Sequence, residues 1–209
     1  MIATSDLHGN LPDIEPCDLL VVAGDVCPLT DHDPKFQSAW LDSTFRPWLE
    51  AVPAREIVGI ADNHDFVFLY PELVPDLPWR YLQDSSTTVL GLNIYGTPWT
   101  KTLGGWAFEG DEVLALEVVF SQVPNDLDVL VSHSPPHGFG DRVVGWFGQP
   151  GERVGSKALR RAIERARPQL ALFGHIHEAT GNSNLASLAC PTSACSMSAT
   201  GSLTRRSRS

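Results

Sequence analysis

The sequence has few cysteines, a deficit of basic residues and no long apolar run. No stretch reaches the roughly 18 consecutive apolar residues of a membrane-spanning helix, which excludes such a span. Met1 leads into Ile-Ala-Thr-Ser-Asp rather than into a basic and then an apolar segment, which argues against secretion. The 4 cysteines form no CxxC pair and are too few for a disulfide scaffold. We therefore predict a cytoplasmic protein without a membrane partner.

The deficit of basic residues also bears on the choice of partner. A net charge of −10 argues against a nucleic-acid groove, because such grooves use Lys and Arg to replace phosphate counterions. The imbalance is concentrated in residues 1–125, which contain 5 basic and 19 acidic residues, whereas residues 126–209 contain 10 basic and 6 acidic ones. Several carboxylates of the acidic part adjoin histidines. Such a cluster is either a repulsive surface or a site for a cation.

Short apolar runs that end in polar clusters alternate with helical patterns. The runs cover residues 1–5, 19–23, 57–60, 129–131 and 170–173, and they are typical of strands buried on both faces. Helices are predicted over Asp111–Val123, Ser156–Arg167 and part of Lys35–Val52, where Pro47 is a break or a new start. A strand or hairpin is predicted over Thr87–Trp99. This alternation predicts an α/β layered fold, in which ligands gather at the carboxyl ends of strands.

The chain is long enough to bury one core, and a single domain is predicted over residues 1–180. Residues 181–209 differ in composition. They contain 8 serines, no Asp or Glu, and three arginines near the end. We predict a divergent or partly disordered tail there.

Five polar clusters follow the predicted strands and offer similar metal-binding atoms. They are Asp6-x-His8, Gly24-Asp25, Asn63-His64-Asp65, His133 and Gly174-His175-Ile-His177. Carboxylate oxygens, an amide oxygen and imidazole nitrogens suit Mn²⁺, Fe²⁺ or Zn²⁺ rather than a thiolate-bound ion. Each cluster alone is also explained by turn and loop hydrogen bonds. Together they contain more ligands than one ion needs, which points to a pair of ions that share one carboxylate.

The order of these clusters resembles the calcineurin-like metallophosphoesterase superfamily. Its signature D-x-H, G-D, G-N-H-[DE], a lone His and G-H-x-H is present here as SDLHGN, AGDVCP, ADNHD, VSHSPP and FGHIHE. The pieces YLQD, IYGTPW, SHSPPHGFGDR and LFGHIHE are similar to the small metallophosphoesterase-domain branch, which is cyclic-nucleotide phosphodiesterase-like. The resemblance covers about Ser5 to Glu178. It implies a four-layer αββα sandwich of two mixed sheets flanked by helices.

The resemblance also implies a role for each site residue. The first ion would be held by Asp6, His8 and His177, the second by Asn63, His133 and His175, and Asp25 would bridge both. Mn²⁺ is the ion we expect, with Fe²⁺ or Zn²⁺ as alternatives. His64 would protonate the leaving oxygen or stabilise its charge, and Asp65 would orient His64. His137 and Arg142 are candidates for a phosphate contact, or else a pair that stabilises their loop.

The activity implied by the resemblance is hydrolysis of small phosphodiesters, with cyclic nucleotides as one candidate, by in-line attack of a metal-bridging hydroxide. The alternatives are a phosphomonoesterase and a catalytically idle scaffold that binds a protein partner. A protein phosphatase is disfavoured, because Gly24-Asp25-Val26-Cys27-Pro28 replaces the G-D-x-V-D-R-G of that class. The expected partner is a small phosphoester, and nothing in the sequence indicates a homodimer.

Two features depart from the family pattern. Asp62 stands where the family has Gly, and it either raises metal affinity or shifts the loop if that position needs a positive φ. We predict that Asp62→Gly keeps or raises phosphodiesterase activity. Residues 181–209 lack the strand alternation with which relatives close the second sheet, which predicts an open sheet edge.

Three further aromatic side chains, those of His32, Trp99 and Trp106, lie outside the five polar clusters. His32 is interpreted as a loop residue, because nothing around it matches a known pattern. Trp99 and Trp106 are candidates for stacking on a nucleotide base, although aromatic residues at strand ends more often belong to the core.

Overall fold

A computed structural model describes residues 1–144, 150–177 and 193–196. The strands of the two main sheets are β1 (Ile2–Thr4), β2 (Cys17–Ala23), β3 (Ala54–Ile60), β4 (Arg80–Tyr81), β5 (Ser85–Val89), β6 (Leu92–Thr97), β9 (Val129–Ser132), β12 (Leu170–Phe173) and β13 (Ser193–Ser196). Two further pairs of strands are β7 (Thr100–Lys101) with β8 (Glu109–Gly110), and β10 (Arg142–Val144) with β11 (Pro150–Arg153). The helices are α1 (Pro34–Trp40), α2 (Arg46–Ala51), α3 (Ala115–Ser121) and α4 (Lys157–Ala166).

These strands form two main sheets. The first has the order β1-β2-β3-β4, and every described pairing in it is parallel. The second has the order β13-β12-β9-β6-β5 and is mixed, because the hairpin strand β5 runs antiparallel to β6 while the other pairs are parallel. The predicted hairpin over Thr87–Trp99 is confirmed by this β5-β6 pair.

The two sheets pack face to face, because their strands are apolar on both sides. Leu19 and Val21 of β2 point into the cluster between the sheets, whereas Leu20 of the same strand packs toward the helices. The inner cluster joins both sheets through Leu19, Val21, Val58, Ile60, Ile94, Val129, Val131 and Leu172. Continuous apolar runs, rather than alternating ones, follow from this burial on both faces.

The outer faces are covered by helices, which gives the predicted four-layer αββα order. Leu41, Phe45 and Leu49, from the helical segment between Pro34 and Ala51, pack in the cluster with Leu20 of the first sheet. Helices α3 and α4 cover the second sheet, where Leu116 and Ile163 are among the residues packed around its outer side. The αββα fold class inferred from the resemblance is confirmed, with one difference: among the described strands only the second sheet is mixed, and the first contains parallel pairs alone.

The helix predictions are confirmed with shorter or altered bounds. Ser156 caps α4 by accepting a hydrogen bond from the N–H of Leu159 at 3.0 Å. The segment after Asp111 begins with a turn and becomes helical at Ala115, although the Asp111 side chain accepts hydrogen bonds from Val113 N and Leu114 N, as an N-cap residue does. Pro47 lies in the first turn of α2, so of the two expectations, a break or a new start, the structure shows the new start. A π-helical turn at residues 41–45 joins α1 to α2.

The predicted tail at 181–209 falls largely outside the described residues, so its disorder and the domain boundary at 180 stay predictions. Within it, Ser193–Ser196 forms strand β13, which pairs with β12 in parallel and was not predicted. The second sheet therefore continues one strand beyond β12, whose outer edge is covered there. In the described part of the chain, no helix has both the length and the apolar character needed to cross a membrane.

Candidate metal centre and its cavity

The five polar clusters lie on loops at the carboxyl ends of β1, β2, β3, β9 and β12, and hydrogen bonds join these loops. Asp6 N donates to Gly24 O at 3.2 Å, and His8 N donates to Asp25 O at 2.8 Å. His175 N donates to Asp6 Oδ1 at 2.9 Å, which links the two sheets. Clusters that are distant in sequence are thereby brought to one place, as expected for parallel strands.

The backbone at this place is unusual. Asp6, His8, Asp25 and His175 have positive φ values of 54°, 46°, 53° and 73°. Non-glycine residues rarely adopt this left-handed conformation, and it persists where surrounding contacts enforce it, often at functional sites.

Two glycines of the motifs are required by close approach. A Cβ atom at Gly174 would lie 2.3 Å from both Asp6 Oδ2 and Ser5 Oγ. A Cβ atom at Gly24 would lie 2.8 Å from His133 Nδ1. The glycines in G-D and G-H-x-H therefore make room for the carboxylate and imidazole of neighbouring loops.

Asp6, His8 and His177 form one group of candidate ligands, whose atoms lie within 4.8 Å of one another. His177 Nε2 is 3.3 Å from Asp6 Oδ1 and also 3.3 Å from His8 Nε2. His8 Nε2 is in turn 3.6 Å from Asp25 Oδ2. The structure thus brings together the three residues that the resemblance assigned to the first ion, with Asp25 beside them.

Asp25, Asp62, His133 and His175 form a second group within the same 4.8 Å limit. His133 Nδ1 lies 2.7 Å from Ala23 O, so it must donate, because a carbonyl oxygen only accepts. In the neutral ring, this leaves a lone pair on Nε2. That atom lies 3.1 Å from Asp62 Oδ2 and 3.2 Å from Asp25 Oδ2. Electron pairs that converge in this way require a proton or a cation between them.

Several buried atoms of the two groups, and one of Asn63, lack a hydrogen-bond partner. They are His8 Nδ1, both carboxylate oxygens of Asp62, Asn63 Oδ1 and His133 Nε2. A buried polar atom without a partner is costly, by about 1–3 kcal/mol even when uncharged. Divalent ions would satisfy oxygen and nitrogen atoms of this kind, so these residues fit the metal ions that the sequence predicts.

The charges at the centre agree with this fit. Burial opposes ionisation of Asp25, but the adjacent His133 outweighs burial and holds the pKa of Asp25 below its usual value. Burial lowers the pKa of His175 to about 4, so this imidazole is neutral at pH 7. Burial also acts against a charge on His133, yet Asp62, Asp25 and Asp6 raise its pKa well above the usual value. A metal ion at His133 Nε2 would displace that proton.

An open cavity of about 390 Å³ lies above both groups. It is lined by His8, Asp25, Leu29, Asn63, His64, Leu103, Trp106, His175 and His177. Its floor carries carboxylate, amide and imidazole groups, and its rim carries aromatic and aliphatic side chains. No Lys or Arg is part of this lining, as far as the structure describes the chain. A separate cavity of about 470 Å³ near Trp79 contains none of the predicted site residues.

His64 stands at the rim within an aromatic cluster that includes His32, which sequence reasoning missed. His32 Nε2 is 3.2 Å from His64 Nδ1. Trp106 packs on both rings, with centroid distances of 4.4 Å to His64 and 5.1 Å to His32, and Phe66 lies 5.5 Å from His32. No sequence motif surrounds His32. Its only signal was its position in the loop after β2, the strand that carries Asp25.

The role expected for Asp65 needs correction. Within the described residues, Asp65 makes no hydrogen bond to the His64 ring. It is fully buried, and it accepts hydrogen bonds from Val26 N at 3.2 Å, Cys27 N at 2.8 Å and Asp62 N at 2.9 Å. Burial raises the pKa of Asp65 to about 7, and the charge of Asp25 adds to this. Asp65 thus ties the β2 loop to the β3 loop, and His32 takes the position beside His64.

The remaining candidates separate into two sets. Trp106 lines the cavity, whereas Trp99 is structural: its indole donates to Asp84 Oδ2 at 2.7 Å and its ring packs against Phe108. His137 and Arg142 do not line the cavity. The backbone of His137 pairs with Ser156, and the Arg142 side chain donates to Gly151 O at 3.4 Å. Their predicted contact with phosphate has no support from this geometry.

Comparisons with known proteins agree with the motifs. The profile of the calcineurin-like phosphoesterase family matches residues 1–179. Metallophosphoesterase domain-containing protein 1 of Homo sapiens and of Mus musculus are each 31% identical to this chain over 212 residues, covering 86% of this chain and 61% of theirs. UPF0046 protein T07D4.2 of Caenorhabditis elegans is 37% identical over 102 residues, covering 48% of this chain and 24% of its own.

A solved structure shares the fold, with a TM-score of 0.56 at 18% identity over 84% of this chain and 83% of its own. The chain spans about three fifths of the length of the human and mouse relatives. Members of the matched family are metal-dependent phosphoesterases, and the clusters of carboxylate and imidazole groups described above are consistent with that. The chain belongs to the calcineurin-like phosphoesterase family.

Proposed function

We propose that this chain is a phosphodiesterase that hydrolyses small phosphodiesters, with cyclic nucleotides among the candidates, at a dinuclear metal centre. The proposal rests on one observation: the same cavity combines metal-binding atoms with an apolar surface. Buried ligand atoms without hydrogen-bond partners lie on its floor, and an aromatic and aliphatic rim surrounds its opening. The floor suits cations and phosphoryl oxygens, and the rim suits the organic part of an ester.

The metal ligands in this proposal are those implied by the family pattern. They are Asp6, His8 and His177 for one ion, Asn63, His133 and His175 for the other, and Asp25 for both. When bound, such a pair of ions lowers the pKa of a water molecule and neutralises the phosphoryl oxygens. We propose Mn²⁺, with Fe²⁺ or Zn²⁺ as alternatives, because oxygen and imidazole donors suit these ions rather than a thiolate-bound ion.

His64 is the proposed proton donor to the leaving oxygen. It lines the cavity, and its backbone N–H donates to Asp25 Oδ1 at 3.1 Å, which ties it to the centre. Its side chain is held between Trp106 and His32. A general acid needs a fixed position near the atom that it protonates, and these contacts provide one.

The lining of the cavity favours a diester over a monoester. A monoester carries an additional negative charge at neutral pH, and enzymes commonly meet such a charge with Arg or Lys. The described lining offers no such residue. It offers instead Leu29, Leu103 and Trp106, whose apolar surfaces suit a second ester group.

The test compares two chromogenic substrates. We expect chelator-treated protein, after addition of Mn²⁺, to hydrolyse bis-p-nitrophenyl phosphate faster than p-nitrophenyl phosphate. Asp25→Ala should abolish metal-dependent turnover, and His64→Ala should lower it while metal remains bound. A preference for the monoester would indicate a phosphomonoesterase. Absence of turnover with any divalent ion in folded protein would favour the scaffold that binds a protein partner.

The expectations about location and partners remain proposals. We propose a cytoplasmic protein that acts on a small phosphoester and binds neither nucleic acid nor membrane. Fractionation of cells that produce the protein tests the first part. Competition of RNA and of anionic vesicles with the diester substrate tests the second.

A further inference from the structure

We propose that Asp62 is an additional metal ligand that this chain has and the family pattern lacks. The family has Gly at this position, so the pattern assigns no ligand there. The inference rests on the dinuclear centre proposed above. It concerns the second ion, the one assigned to Asn63, His133 and His175.

The position of the Asp62 carboxylate carries the inference. Asp62 is completely buried, and neither of its two carboxylate oxygens has a hydrogen-bond partner. Its Oδ2 lies 3.1 Å from His133 Nε2, and it belongs to the group of Asp25, Asp62, His133 and His175 within 4.8 Å. The imidazole of His133 is the group that faces this carboxylate, and a buried carboxylate is costly to ionise unless a positive charge lies beside it. A cation in the middle of this group would give it a partner.

The contacts of His133 strengthen the argument. Its Nδ1 already donates to Ala23 O, so only Nε2 can face an ion. Once Nε2 binds metal, it has no proton to share with Asp62. Asp62 would then lose the donor that lies 3.1 Å from its Oδ2, and its buried oxygens would either hold a proton of their own or bind the ion.

The backbone shows that Asp62 is not a substitute for a conformationally required glycine. Asp62 has no positive φ, unlike Asp6, His8, Asp25 and His175. Its N–H donates to Asp65 Oδ2 at 2.9 Å, which holds the loop in place. The loop therefore accepts a side chain here without strain. Of the two effects that we considered for Asp62, a shifted loop or a change in metal affinity, the second remains. From the sequence we expected Asp62→Gly to keep or raise phosphodiesterase activity. If Asp62 is a metal ligand, this variant loses the ligand, so we now expect weaker metal binding and lower activity.

An additional carboxylate changes the charge of the loaded centre. The carboxylates become Asp6, Asp25 and Asp62, so the pair of ions keeps one unit less of positive charge than with Gly at this position. Lowering the positive charge of the centre weakens its attraction for a dianionic monoester more than for a monoanionic diester, because the Coulomb energy is proportional to the charge of the substrate. Asp62 would therefore strengthen the preference for diesters.

The experiment measures Mn²⁺ binding directly. Chelator-treated wild-type protein, Asp62→Asn and Asp62→Gly are titrated with Mn²⁺ in a calorimeter, and each protein is melted with and without Mn²⁺. We expect both variants to bind the second ion at least about tenfold more weakly than wild type. The rise in Tm caused by Mn²⁺ should be correspondingly smaller in the variants, because stabilisation by a ligand follows its affinity.

Asp141→Asn is the matched control. Asp141 is also fully buried, but it pairs with Arg153 and accepts hydrogen bonds from Gly138 N and Gly155 N. Its replacement should lower the Tm and leave Mn²⁺ affinity unchanged. Asp62 variants that bind both ions as tightly as wild type would overturn the inference about Asp62 alone. A wild-type protein that binds no Mn²⁺ would instead overturn the dinuclear centre.

Substrate preference supplies a second readout for the charge argument. In Mn²⁺-loaded protein, the ratio of kcat/KM for bis-p-nitrophenyl phosphate to that for p-nitrophenyl phosphate should fall in Asp62→Asn relative to wild type. Measurement at saturating Mn²⁺ separates this effect from weaker metal binding. An unchanged ratio would contradict the proposed contribution of Asp62 to the preference for diesters.

Discussion

The floor and the rim of the cavity are built on different principles. The floor consists of loops in left-handed conformations, with Asp6 and Asp25 buried and joined to other loops by backbone hydrogen bonds. The rim consists of half-buried rings, His64, His32 and Trp106, that contact one another through their side chains. The floor is held by the main chain and the rim by packing.

This difference indicates how each part tolerates change. A main-chain framework with glycines at close contacts leaves no room for an added atom, so a small change in the floor should disturb every ligand together. Rings that pack at an open surface can be replaced one at a time. Substitutions in the floor should therefore alter metal binding, and substitutions in the rim should alter turnover or KM in metal-loaded protein.

Replacing the proposed proton donor should have the largest effect at the rim. In His64→Gln we expect kcat for a glycerophosphodiester, whose leaving group is an alcohol, to fall by about 100-fold or more. The fall should be much smaller for bis-p-nitrophenyl phosphate, since p-nitrophenolate departs without a proton. Bound Mn²⁺, measured by mass spectrometry after dialysis, should be unchanged. Equal losses on both substrates would contradict a role in proton donation.

Adding one methyl group to the floor tests its rigidity. Gly174→Ala places a Cβ atom 2.3 Å from Asp6 Oδ2, so Asp6 or the loop has to move. We expect a destabilisation of about 1–3 kcal/mol from overpacking, together with Mn²⁺ binding weakened by roughly tenfold or more. Thermal melting and calorimetric titration measure the two effects. Unimpaired Mn²⁺ binding would show that the floor is more adaptable than this contact implies.

Two substitutions of His32 test whether its ring nitrogen positions His64. In His32→Phe, which keeps a ring against Trp106 but loses the nitrogen beside His64, kcat for the glycerophosphodiester should fall by about tenfold. KM should stay nearly constant, and His32→Gln should restore part of the activity by supplying a polar atom. His137→Gln is the control, because His137 does not line the cavity. A uniform loss on both diester substrates would reduce His32 to a structural role.

The smallest expected effect concerns the indole of Trp106. Trp106→Leu removes a ring that lines the cavity, and we expect KM for bis-p-nitrophenyl phosphate to rise by about fivefold, as for the loss of roughly 1 kcal/mol of stacking. Trp99→Phe is the matched control. It loses the hydrogen bond to Asp84, so it should lower Tm without changing KM. If KM changed only in Trp99→Phe, the assignment of the rim would be wrong.

Much of the fold was predictable, because a strand that is buried on both faces has a continuous run of apolar residues in the sequence. Leu19 to Ala23 is continuously apolar since alternate residues serve the inner and outer layers. Ser156 and the following helix obey local capping rules. Strand β13 was not predictable in this way, because its residues carry no such apolar run and its pairing depends on the edge of β12.

Most of the candidate floor was also predictable, and the reason is geometric. Parallel strands end at one edge of a sheet, so Asp6, Asp25, Asn63, His133 and His175 had to lie near one another once the strands were recognised. Their assignment to individual ions came from the resemblance and remains a prediction. The position of Asp62 departs from that pattern, so its burial and its unpartnered oxygens were visible only in the structure.

The sequence by itself determined the α/β class of the fold, the strand ends that carry the motifs and the oxygen and nitrogen character of the centre, because each depends on local pattern and spacing. The four-layer order was implied by the resemblance. Only the tertiary structure decided that His32, rather than Asp65, lies beside His64, that Trp106 rather than Trp99 faces the cavity, and that the Asp62 carboxylate points into the centre. These contacts join loops from different parts of the chain. The packing of the whole molecule sets their distances, and no local pattern records them.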